Sequence, residues 1–83
     1  MRISRNERRI AGQNIRRLRL DAGLALSAMA AELSIERSYF HDIENGTANP
    51  TMEKYEKVAA FLKVTVRELL TEHRPAKRRK EVA

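Results

Sequence analysis

An 83-residue chain has room for a single small domain, and 34% charged with only 5% aromatic residues favours a compact helical fold over a sheet sandwich or a disordered chain. The absence of cysteine excludes a disulfide framework, a thiolate metal site and a cysteine nucleophile. The net charge of +6 points to an acidic partner.

In chain order, Ser4 followed by Glu7 has capping-box spacing and predicts a first helix from about Arg5. Ile15, Leu18 and Ala22 share its apolar face, and Gly23 ends it in a left-handed conformation. The run "LSAMAAEL", residues 26–33, is a short helix with Met29, Ala30 and Leu33 inward. After Ser34 and Ile35, residues 36–45 form a third helix with Phe40 and Ile43 facing in and Gly46 closing it. Pro50 disfavours helix at Asn49, and Thr51 caps "MEKYEKVAAFL", whose inner face is Met52, Tyr55, Val58, Ala59 and Leu62. Thr65 and Glu68 repeat the capping-box spacing and start a last helix packed by Val66, Leu69 and Leu70. Pro75 ends regular structure, and no segment alternates like a strand.

The charge has a pattern along the chain. Residues 1–20 carry seven arginines against Glu7, residues 73–83 five basic residues against Glu81, and residues 21–72 five basic against nine acidic. Basic ends around an acidic middle suggest a polyanion gripped partly by the ends. No apolar run approaches the roughly 18 residues that span a bilayer, and "MRISRNERRI" lacks the apolar core of a signal peptide. The expectation is a cytoplasmic, nucleoid-associated protein with no membrane partner.

Two short helices, 26–33 and 36–45, are joined by a few residues, with small Ala30 at the close approach and Ile35 plugging the turn. That is the pattern of a helix-turn-helix, whose second helix can enter a major groove; two ordinary packed helices of a bundle fit it equally well.

The segment "NIRRLRLDAGL…MAAELSIERSYFHDIENGTANPTMEKYEKVAAFLKVTVRELL", residues 14–70, resembles the Xre/Cro family, the phage-repressor type of helix-turn-helix domain. The most specific parts are "SYFHDIENG", the Asn-Pro-Thr that follows, and "VTVRELL". The resemblance implies an all-α, five-helix, lambda-repressor-like domain that binds double-stranded DNA in sequence-specific fashion, usually as a homodimer on a palindromic operator. With the charge pattern and Pro75, the chain is read as a domain over 1–72, with a basic N-terminal segment at 1–9 and the motif near 26–45, followed by a basic flexible tail at 73–83.

Carried over by position, the recognition helix is Glu36 to Asn45, with Arg37, Ser38 and His41 facing the groove and Asp42 at its edge. Their chemistry suits the roles. Arginine pairs with guanine O6 and N7, serine can donate or accept, and histidine does either according to tautomer. Tyr39, Asn45, Thr47 and Asn49 are expected at DNA phosphates, helped by Arg5, Arg9 and Arg16 and by Lys77, Arg78, Arg79 and Lys80 of the tail. Arg19 and Glu44 occupy positions that in this family commonly form an ion pair beneath the motif. Phe61 is the expected exposed anchor of a dimer contact, joined by Val66 and Leu70.

The chain departs from the family pattern at Ala25 and Leu26, where Ser or Thr and then Gln are usual. An N-cap and a polar group that often touches phosphate are thereby lost. Glu36 and Asp42 add negative charge to the recognition helix, so a protein-interaction module that retains the fold is the alternative function. Other possible partners include a toxin, as for an antitoxin. An enzyme is disfavoured: His41 and His73 are the only histidines, without metal-ligand spacing, and no phosphate loop or nucleophile elbow appears. No cofactor or metal is expected.

Overall fold

A computed structural model describes residues 3–74 and contains five helices: α1 Arg5–Asp21, α2 Leu26–Glu32, α3 Arg37–Asn45, α4 Met52–Leu62 and α5 Val66–Leu70. The all-α expectation holds, with no strand among the described residues. The tail residues Lys77, Arg78, Arg79 and Lys80 lie outside the described residues.

The helix starts follow the capping signals. Ser4 Oγ accepts from the Glu7 amide at 3.1 Å while Glu7 Oε1 accepts from the Ser4 amide at 3.0 Å. Thr65 and Glu68 make the same reciprocal pair at 3.0 and 2.7 Å, and Thr51 Oγ1 accepts from the Lys54 amide at 3.2 Å. Each bond satisfies an amide that the helix itself leaves unpaired. Ala25 and Glu36, the N-caps of α2 and α3, make no such side-chain bond. Glu36 therefore precedes the recognition helix instead of belonging to its first turn.

Four helices end alike. Gly23, Ser34, Gly46 and Lys63 take positive φ values of 73°, 55°, 78° and 62°. In each case the next amide reaches back to a carbonyl five residues earlier: Leu24 to Arg19, Ile35 to Ala30, Thr47 to Asp42 and Val64 to Ala59. This is the Schellman arrangement, which turns the chain sharply and folds a following apolar residue inward. Ile35, placed this way, is buried in the turn between α2 and α3. Ala22, expected on the apolar face of α1, is instead its exposed C-cap, because the helix has already begun to unwind there.

The largest fully buried side chains are Tyr55, Phe40, Ile15, Met29, Leu69 and Val58, one or two from each helix. α1 is the central strut: it packs against α3, α4 and α5, while α2 packs on α3 and α4 on α5. Two residues of α1 make these contacts possible. Gly12 lies against the end of α3 so closely that a Cβ there would meet the Glu44 carbonyl oxygen and sit 2.6 Å from that of Ile43. Asn14, 3% exposed, directs Nδ2 at the carbonyls of Leu69 and Thr71, both at 2.8 Å, and so closes α5. The Nη2 of Arg17 donates to Asn14 Oδ1 at 3.2 Å and holds the amide in that orientation.

Candidate nucleic-acid interface

The sequence of α3 sorts itself by helical period. Phe40, Ile43 and Glu44 are buried, whereas Arg37, Ser38, His41, Asp42 and Asn45 are exposed. Because Phe40 and Ile43 are anchored in the core, the polar residues between them must face outward. Arg37 is the first residue of the helix, with its full length free to reach.

Arg37, Ser38 and His41 come together around one open pocket of about 360 Å³, whose fourth wall is Leu26 of α2. Asp42 is not part of that wall. Its carbonyl accepts from the Thr47 amide at 3.0 Å, from Thr47 Oγ1 at 3.3 Å and from the Ala48 amide at 3.3 Å. The Thr47 hydroxyl proton is thus engaged, leaving its oxygen as an acceptor. Asn45 Nδ2 lies 3.3 Å from His41 Nδ1, one turn back on the same face. When that amide donates to Nδ1, Nε2 carries the imidazole proton and becomes a hydrogen-bond donor.

The expected phosphate-contacting residues fall in two groups. Asn45, Thr47 and Asn49 are exposed at the C-terminal end of α3 and in the loop beyond it, and Tyr39 is half-buried against the core. Arg5, Arg9 and Arg16 are exposed on α1. Their spacing, with Gly12 between, puts them on the stripe of α1 that meets α3. Arg9 is beside the end of α3: a Cβ on Gly46 would come 2.9 Å from the Arg9 Cα. The Arg9 guanidinium donates to Asn6 Oδ1 at 2.7 Å. Arg8 serves the fold, donating to the Ile3 carbonyl at 3.0 Å and fixing the segment that buries Ile3.

Arg19 and Glu44, each 6% exposed, form the expected ion pair. Hydrogen bonding to Glu44 raises the Arg19 pKa above its ordinary value, against the opposing effect of burial.

Phe61, expected as an exposed anchor, is half-buried and packed against the core, as are Val66 and Leu70. Leu62, expected to be fully inward, shares that intermediate position, so the apolar side of α4 is split between them. Val66 and Leu70 border a second open pocket of about 360 Å³ with Met52, Glu7, Arg67 and Thr71. Phe61 does not line it. Sequence reasoning assigned Leu26 no place among the groove residues, although its departure from the usual glutamine marked the position as unusual. Among the described residues no cluster of acidic, histidine or cysteine side chains can hold a metal, and no helix is long and apolar enough to cross a membrane.

The short pair α2 and α3 has the arrangement of a helix-turn-helix, with arginine, serine and histidine on the free face of its second member. Residues 10–72 match the model of the family described as "Helix-turn-helix domain". The chain is 33% identical over 69 residues to control protein C.BamHI of Bacillus amyloliquefaciens, covering 82% of this chain and 85% of that one. It is 32% identical over 62 residues to control protein C.MunI of Mycoplasma sp, covering 74% and 84%. It is also 40% identical over 62 residues to the HTH-type transcriptional regulator SinR of Bacillus subtilis, where the match covers 74% of this chain but only 56% of that longer protein. No solved structure matches significantly. The chain belongs to the Xre-type helix-turn-helix family of DNA-binding transcriptional regulators. That membership sets it among transcriptional regulators.

Proposed function

We propose that the protein occupies a palindromic promoter or operator as a homodimer, with α3 of each copy in a major groove. Arg37, Ser38 and His41 read base edges, Asp42 borders them, and Arg37 pairs with a guanine. Asn45, Thr47, Asn49 and Tyr39, with Arg5, Arg9 and Arg16 of α1, contact the flanking phosphates. The basic tail, with Lys77, Arg78, Arg79 and Lys80, adds sequence-independent attraction. The observation that carries this reading is the convergence of Arg37, Ser38 and His41 around one pocket on the outer face of α3.

The reading favoured within this class is a controller of the restriction–modification type. The two control proteins are matched over more than four-fifths of their length, against about half of SinR. Such a protein works in the cytoplasm, at the nucleoid. The dimer contact assigned here is the apolar border of Val66 and Leu70, together with half-buried Phe61 of α4.

Selection of bound duplexes from a random pool, followed by footprinting and sedimentation, tests the proposal. The expected result is an enriched inverted repeat protected by a dimer, with half-sites one turn apart, roughly 34–36 Å. Weak binding without any enriched sequence would favour the alternative of a protein-interaction module, for which the exposed acidic groups Glu36 and Asp42 on and before α3 are the motive.

A further inference from the structure

The pocket at the tip of the motif has an odd wall. Three of its lining residues, Arg37, Ser38 and His41, are hydrogen-bonding side chains suited to base edges, and the fourth, Leu26, is purely apolar. Leu26 is the first residue of α2, half-buried, with its inner side packed against the core and its outer side bordering the pocket. The leucine side chain can neither donate to a phosphate nor accept from a base, so on the DNA side it can contribute only by covering something apolar. The major-groove edges of the four bases offer donors, acceptors and one apolar group, the 5-methyl of thymine.

We infer that Leu26 is a specificity-determining residue that covers the 5-methyl group of a thymine next to the guanine paired with Arg37. The inference rests on the placement of α3 in the major groove proposed above. Arg37 and Leu26 border the same pocket, so the bases they address are neighbours. Ser38 and His41 then supply the polar contacts around the methyl group. The residue acts as a filter: cytosine at that position leaves the leucine facing a bare ring edge, and a purine places a polar N7 against it.

The test uses the operator obtained by selection and wild-type full-length protein. Each thymine is replaced in turn by deoxyuridine, which deletes only the methyl group, and affinity is measured by fluorescence anisotropy. One thymine per half-site, adjacent to the guanine whose preference depends on Arg37, should show a loss of about fourfold per methyl group removed. The Leu26→Gln and Leu26→Ala variants should bind thymine and uracil at that position equally. The wild-type comparison stands even if a variant folds poorly.

Equal binding of all uracil-substituted operators by the wild type would overturn the inference. So would a methyl preference that persists undiminished in both folded variants, or a selected operator with no thymine beside that guanine. Failure to enrich any sequence would be a different result, refuting the base-reading assignment itself.

Discussion

Arg19 and Glu44 join the end of the first helix to the end of the recognition helix. Arg19 Nε and Nη2 donate to the two Glu44 carboxylate oxygens at 2.7 and 3.1 Å, and Nη1 donates to the Leu24 carbonyl at 2.7 Å. One guanidinium therefore clamps both α3 and the turn that leads from α1 into α2. Arginine alone has the planar fork to make all three bonds at once.

Removing one partner should cost more than removing both. Glu44→Ala strands a buried cation and is expected to destabilise by about 3–5 kcal/mol, whereas replacing the pair with Met and Leu should cost much less. Urea midpoints of the three proteins decide this; an unchanged midpoint for Glu44→Ala would show that the clamp contributes nothing.

Gly12→Ala tests the crossing of α1 and α3. Alanine is the better helix former by about 1 kcal/mol, yet its methyl would collide with the Ile43 and Glu44 carbonyls. The collision is with backbone, which cannot rotate away, so a net loss of about 1–3 kcal/mol is expected. A more stable Gly12→Ala protein would mean that the helices separate at little cost.

Arg37→Ala should relax base preference at one symmetric operator position and cost roughly 1–3 kcal/mol per half-site. The readout is competition among operators that differ at that position. Uniform weakening on all of them would reassign Arg37 to the phosphates.

Tyr55 provides a pH test. Burial raises its phenol above the ordinary value of 10.0, with the nearby Arg8 charge opposing and Tyr39 adding slightly. Below that value both folded and unfolded chains keep the proton, and stability is unaffected. Above it the unfolded chain loses the proton while the folded one resists, so stability falls, at most by about 1.4 kcal/mol per pH unit. Tyr55→Phe should reduce that alkaline loss when urea midpoints at about pH 9 and about pH 11 are compared. An identical alkaline loss in the variant would assign the effect to other groups.

Much of this fold is legible in the sequence because its signals are local. Ser4 with Glu7, Thr51, and Thr65 with Glu68 announce three helix starts, and Gly23 and Gly46 announce two ends. The αL turns at Ser34 and Lys63 are not announced, since side chains with a Cβ seldom adopt positive φ. The apolar residues that follow, Ile35 and Val64, draw the chain inward and make those conformations worthwhile. Gly12 and Asn14 were illegible for another reason: each answers to a partner far along the chain. A polar residue in the stripe of Ile10, Ile15 and Leu18 was the available sign for Asn14. On α3 the buried anchors Phe40 and Ile43 made the outer face readable, whereas the wall formed by Leu26 required knowing how α2 lies against it. The half-burial of Phe61 was hidden because α4 shares its apolar side among more residues than one neighbour can cover.

The closure of α5 by Asn14 governs how this chain comes apart. A five-residue helix is far too short to persist alone, and the last carbonyls of α5 end on a side chain from α1, 55 residues away in the case of Leu69. Its amides cannot open independently for long, because releasing them exposes Leu69 and orphans the Asn14 amide together. In hydrogen exchange, then, the short last helix should behave as part of the same cooperative unit as the middle of the long first one, with slow exchange out of proportion to its length.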